Sequence, residues 1–197
     1  MNGILIAFEG LDQSGKQTQA EGVRTEVAAR GRECRLFCFP DYTTAIGAEI
    51  GQALQGGREY SPDVMQLMYV ANRHERRADM VRLLEDGAVL VCDRYLASSI
   101  AYGEAQGLDA GWLADIQRFL PRPDLTILLD IAPETAVGRK AAGRDRYERD
   151  LQLLSRVRDS YRRQAEGPDW LRLDGERPRD EVSADVLSAI ATRLGQR

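Results

Sequence analysis

The chain has 197 residues, 43% of them hydrophobic, enough for one well-buried core and short for two independent domains, so a single domain over 1–197 is expected. With 27 basic and 31 acidic residues the net charge is −4, which gives no global field to hold a polyanion, and no nucleic-acid partner is expected. No apolar run approaches the roughly 18–20 residues of a membrane span, and no basic region precedes a long apolar one at MNGILIAFEG, so the chain reads as cytoplasmic with no membrane partner.

In chain order, ILIAF at 4–8 reads as a strand and leads straight into Gly10-Leu11-Asp12-Gln13-Ser14-Gly15-Lys16-Gln17-Thr18. Glycines and a lysine at this spacing, between a strand and a helix, make a phosphate-binding loop. The glycines let backbone amides turn inward, the helix start adds positive partial charge, and Lys16 can reach the outer phosphates of a nucleotide. These nine residues are the expected nucleotide contacts. Gln17 stands where a Ser or Thr hydroxyl normally meets magnesium. Thr18 is a poor substitute, because one residue step turns a side chain by roughly 100° around a helix. Two readings stay open: the Gln17 amide oxygen ligates Mg²⁺ or one of its waters, or Gln17 only caps or packs while other groups hold the metal.

The following helix spans Gly15 to Arg30, with Ala20, Val23, Val27 and Ala28 at helical spacing and Gly31 as its stop. RLFCF at 35–39 reads as the second strand. A longer helix opens at Ser61-Pro62, serine as N-cap and proline at the first helical position, and runs towards Gly87. AVLVC at 88–92, LTILLDI at 125–131 and the weaker WLRL at 170–173 complete five strands, and Val182, Val186, Ile190 and Leu194 form the stripe of a final helix. Short apolar runs alternating with amphipathic stretches predict an α/β fold, a five-stranded parallel sheet with helices on both faces. Cys34, Cys38 and Cys92 recruit no second Cys or His cluster and read as buried, reduced thiols, not as a zinc site.

AVLVC ends in Asp93-Arg94-Tyr95, which puts a carboxylate and a guanidinium at the carboxyl edge of a central strand, where open α/β sheets bind ligands. Asp93 suits an outer ligand of Mg²⁺, and Arg94 can grip a phosphate and neutralise the transferring group. Together with the loop they describe a phosphoryl-transfer site.

FEGLDQSGKQTQ, FPDYTTAIG at 39–47, LMYVANRHE at 67–75, DRYLASSIAYGEAQG at 93–107 and PDLTILLDI at 123–131 resemble, in order, the successive signatures of thymidylate kinases. The resemblance covers roughly Ile4 to Tyr161. It implies a P-loop kinase fold, usually a homodimer, and transfer of a phosphoryl group from ATP to dTMP with Mg²⁺ as cofactor. By the same resemblance Asp12 approaches the acceptor's sugar hydroxyl, Phe39 and Pro40 shape the pocket wall, Tyr69 stacks on thymine, and Arg73 meets the base or nearby phosphate. Ser98, Ser99 and Tyr102 belong to the segment that holds the base edge and crowds the 2′ position. Tyr42 stands where some members carry an arginine, which shifts acceptor-phosphate binding onto Arg73 and Arg94. His74 is read as a surface residue with no catalytic part.

From Arg139 to Arg163 nine basic residues face four acidic ones. Gly138, Gly143 and Ala141-Ala142 suggest a mobile lid over about 138–150. The resemblance makes Arg144 and Arg146 the leading candidates for charge stabilisation, ahead of Arg139 and Lys140. Catalysis is thus expected from Lys16, Arg94, Arg144 and Arg146. A kinase for another nucleoside monophosphate or a catalytically weak nucleotide-binding module are the rival readings; a guanine-nucleotide switch is disfavoured because the chain has no Asn-Lys pair.

Overall fold

The computed structural model describes residues 3–139 and 150–195. Among them the elements run β1 (Ile4–Glu9), α1 (Lys16–Ala29), β2 (Cys34–Cys38), α2 (Ala45–Leu54), α3 (Pro62–Glu85), β3 (Val89–Asp93), α4 (Leu96–Ala105), α5 (Ala110–Asp115), β4 (Leu125–Asp130), α6 (Pro133–Arg139), α7 (Leu151–Gln164), β5 (Trp170–Asp174) and α8 (Arg179–Gly195). The strands pair in parallel in the order β2-β3-β1-β4-β5. All five expected strands are present, each within a residue or so of its apolar run.

β1 is fully buried because it is central and covered on both faces, and its residues alternate between two cores. Ile4, Ile6 and Phe8 pack with Val23 and Val27 of α1 and Val182, Val186 and Ile190 of α8. Leu5 and Ala7 face the other way, towards Val70, Met80 and Leu83 of α3. The two-residue period of a strand therefore makes one apolar run serve both helical layers.

Three details differ from the sequence reading. Ser61 occupies the N-cap of α3, yet its side chain makes no capping hydrogen bond to the helix amides; it is engaged instead with the Asp63 carboxylate, whose pKa that contact lowers. Cys92 is buried, but Cys34 is only half-buried and Cys38 is exposed. They sit on β2, an edge strand with one side open. Partial desolvation still raises the Cys38 thiol to about 11, so it stays protonated near neutral pH. The third is α2, which the sequence reading left as part of the FPDYTTAIG signature.

The part of the chain read as lid divides. Gly138 and Arg139 end α6, and α7 begins at Leu151; Lys140, Arg144, Arg146, Tyr147 and Glu148 lie outside the described residues. α7 is pinned to the sheet. Asp130, at the end of β4, receives Arg158 at 2.6 Å and Arg162 at 2.9 Å from α7 and Arg172 at 2.7 Å from β5. Burial works against the Asp130 carboxylate, but the Arg158 and Arg162 guanidiniums outweigh it and hold its pKa below the ordinary value.

Candidate active site

β1 and β3 are neighbours, and Phe8 lies abreast of Asp93. This register brings the two carboxyl-edge motifs together. Beyond Glu9 the chain turns at Gly10, where φ is 139° and a Cβ would meet the Leu129 carbonyl oxygen at 2.5 Å, so only glycine fits. Gly15, with φ of 96°, starts α1. The first-turn amides of α1, like those of any helix start, have no intrahelical acceptor and are free to meet phosphate oxygens.

Lys16 is buried and lies back over the loop, its Nζ donating to the Leu11 carbonyl at 2.7 Å. Desolvation, with repulsion from Arg94 behind it, lowers the ammonium's pKa from 10.5 to about 8. Gln17 and Thr18 are exposed on α1, and Gln17 lines a groove shared with Arg179 and Ser183 of α8. Gln13 is exposed with φ of 63°, and its carbonyl accepts from Arg139 at 3.1 Å.

Arg94 follows β3 with φ of 62°, a left-handed backbone that a non-glycine residue adopts at a cost of about 1–3 kcal/mol. The turn aims its guanidinium back across the sheet edge. It donates to Asp12 Oδ1 at 2.7 Å, to the Gly10 carbonyl at 3.1 Å, and to the hydroxyls of Ser98 and Tyr161 at 3.3 Å, and it lies 5.3 Å from the centre of the Tyr102 ring. Burial acts against this charge, but the Asp12 carboxylate more than offsets it and raises the pKa well above its ordinary value. Asp93 Oδ1 is buried with no hydrogen-bond partner.

Arg73, on α3, is also buried, but is held differently. Its Nη1 donates to Ser99 Oγ at 2.7 Å and to Gln117 Oε1 at 3.3 Å, its Nε has no partner, and its guanidinium carbon stands 6.0 Å from the centre of the Tyr95 ring. Burial alone lowers its pKa, with Glu9 acting the other way. The result is a desolvated cation surrounded by neutral acceptors, which is what an incoming anion requires.

Asp12, Phe39, Pro40, Tyr42, Tyr69, Arg73, Arg94, Ser98, Ser99 and Tyr102 line one cavity, joined by Leu54 and Gln66. Tyr42 stands at its rim, 53% exposed. The FPDYTT loop is held by α3: Asn72 accepts from the Asp41 amide at 2.8 Å and donates to Thr44 Oγ1 at 2.8 Å, while Arg76 pairs with Asp41 at 2.6 Å. Gly47 completes this packing, since a Cβ there would fall 1.7 Å from the Asp41 carbonyl oxygen. His74 is exposed, away from this set.

Four residues of the site escaped the sequence reading. Glu9 is fully buried and accepts from the Tyr95 amide at 2.9 Å, the Ser98 hydroxyl at 2.6 Å and the Tyr161 hydroxyl at 3.2 Å. A carboxylate at the start of α4 orders the helix that carries Ser98, Ser99 and Tyr102. Tyr161 comes from α7, far along the chain. Leu54 ends α2. Gln66 alone left a trace in the sequence, standing three residues before Tyr69 on the same helical face.

The thymidylate kinase family model matches residues 8–186. The chain belongs to the thymidylate kinase family. Among its relatives are a thymidylate kinase of Schizosaccharomyces pombe, 34% identical over 96% of this chain and 92% of that protein, and one of Dictyostelium discoideum, 33% identical over 94% and 84%. The solved structure of thymidylate kinase from Candida albicans, 30% identical, superposes over 100% of this chain and 94% of that one with a TM-score of 0.88. The five-stranded parallel sheet is thus the fold of this family's P-loop kinases. No described helix is long and apolar enough to cross a membrane.

Proposed function

We propose that this protein transfers the γ-phosphoryl group of ATP to dTMP, giving ADP and dTDP. The observation that carries the reading is one cavity where Arg94 joins the phosphate loop, through Asp12 and Gly10, to the α4 residues Ser98 and Tyr102. Loop amides and Lys16 clasp the donor phosphates, with Lys16 exchanging the Leu11 carbonyl for phosphate oxygens. Arg73 and Arg94 draw in the acceptor phosphate. That phosphate is already ionised at neutral pH, so no general base is needed, and the work is placement and charge neutralisation. Tyr69 stacks on the base, Tyr102 walls the 2′ position, and Asp12 is placed to accept from the sugar hydroxyl. Arg144 and Arg146 are assigned the closing charge over the donor.

Mg²⁺, when bound, neutralises and aligns the phosphates. Among the described residues no group of three or more Asp, Glu, His or Cys gathers to hold a metal by itself, which suits an ion that keeps its waters and leans on substrate oxygens. The unpartnered Asp93 Oδ1 fits that use, and Gln17 is the second candidate. Gln17→Ser is expected to lower the Mg²⁺ concentration for half activity severalfold. An unchanged magnesium titration would put Gln17 outside the metal's reach.

The deciding experiment gives the purified protein ATP, Mg²⁺ and a panel of monophosphates. Turnover of dTMP should exceed that of UMP, CMP or AMP by about 100-fold or more in kcat/KM. Equal rates would reject the acceptor assignment, and tight ATP binding without turnover would favour a binding-only module. We place the protein in the cytoplasm as a homodimer. The exposed apolar groove between α2 and α3, with Ile46, Val64, Leu67 and Met68, supports association with a second copy, and sedimentation of the same sample at a monomer mass would reject it.

A further inference from the structure

α3 presents Gln66, Tyr69 and Arg73 at i, i+3 and i+7, so all three face the acceptor cavity. Gln66 is fully buried, and neither its Nε2 nor its Oε1 has a hydrogen-bond partner. A carboxamide carries two donors and an acceptor, and leaving them unmet in a dry interior is unfavourable enough that native proteins rarely do so. Leucine or methionine would fill the same volume without that penalty, so the amide at this place calls for a ligand. Its neighbours narrow the chemistry. Ser98, which the family resemblance puts at the base edge, spends its hydroxyl on Glu9 at 2.6 Å. Arg73, two turns further along α3, carries the positive charge, whereas Gln66 is neutral and offers an acceptor beside a donor. Its complement is a neutral edge with a donor beside an acceptor, such as the N3–H and flanking carbonyl of a pyrimidine-2,4-dione.

Resting on the proposed dTMP reaction, we infer that Gln66 reads the imide edge of the acceptor base: Oε1 accepts from N3–H and Nε2 donates to the adjacent ring carbonyl, while the Tyr69 ring covers the base face. The amide is a specificity-determining group that is satisfied only when the base is bound.

The test is Gln66→Leu, which removes both polar atoms and keeps the bulk, with Gln66→Met beside it should leucine pack badly. In the ligand-free protein the melting temperature should hold or rise, since an unmet amide is removed. The KM for dTMP should rise about 30- to 100-fold, with the KM for ATP unchanged. The preference for dTMP over its N3-methyl analogue should shrink at least tenfold relative to the wild type, because residue and substrate atom then no longer couple. The preference for dTMP over dUMP, which share the imide, should stay as it was. An unchanged dTMP KM in a folded variant, or an N3-methyl preference equal to the wild type's, would overturn the assignment. A fall in melting temperature with equal losses on both substrates would reduce Gln66 to packing. Failure of the wild type to use dTMP would instead remove the proposed reaction itself, so the two failures are distinct.

Discussion

Lys16→Met should lower kcat/KM by about 10³-fold while making the nucleotide-free protein more stable. The loss follows from removing a preorganised cation aimed at the phosphates, where one such donor is worth about 10²–10³-fold or more in rate. The gain follows from linkage. In the folded protein the Lys16 pKa is lowered to about 8 from 10.5, so between those values the unfolded chain binds more protons and stability rises with pH. Below pH 8 both states are protonated, and the folded state carries the full penalty of a buried ammonium, on the order of 3 kcal/mol. Methionine removes it. Calorimetric melting at pH 7 without nucleotide checks this arm: a fall in melting temperature would show that the Leu11 contact outweighs desolvation. The same group sets a pH dependence for donor binding. Because ATP needs the protonated lysine, its affinity should be flat below pH 8 and fall above it, approaching tenfold per unit. Titration calorimetry should show this slope in the wild type and its absence in Lys16→Met.

Arg94 is the second large effect. Arg94→Ala should cost about 10³-fold in kcat, since this guanidinium is the only group among the described residues bonded at once to the loop's Asp12 and Gly10 and to Ser98 and Tyr102 of α4. Arg94→Lys should recover little, because a point charge on a flexible stem cannot hold a carboxylate, a carbonyl and a phosphate in one plane. Arg94→Gly separates chemistry from folding. The φ of 62° is strained for arginine or alanine and ordinary for glycine, so the glycine variant should be as inactive as alanine yet melt at a higher temperature than it does. Activity in Arg94→Gly within tenfold of the wild type would remove Arg94 from the transfer step.

Both effects were within reach of the sequence, since a phosphate loop and an Asp-Arg pair each end an apolar run. Their partners were not. Arg94 and Asp12 are 82 residues apart, and nothing local says that the guanidinium turns back over the loop and not outward to solvent. That direction comes from a left-handed backbone at a non-glycine residue, which no composition or period signals. Glu9 reads as the polar end of a strand, but a fully buried carboxylate becomes intelligible only once Tyr95, Ser98 and Tyr161 are seen to donate to it.

What the sequence determined by itself was the local and the periodic. Apolar runs of four to seven residues set the strands, the 3.6-residue stripes set α1 and α8, the Ser61-Pro62 start set α3, and glycine and lysine spacing set the phosphate loop, because each depends on sterics and burial within a short stretch of chain. Only the tertiary structure decided the strand order, the exposure of Cys38 on an edge strand, and the meeting of α2, α3 and α4 residues around one cavity. Those outcomes depend on which faces pack together across long loops, and the free energy that selects them belongs to contacts between segments that no single window of sequence contains.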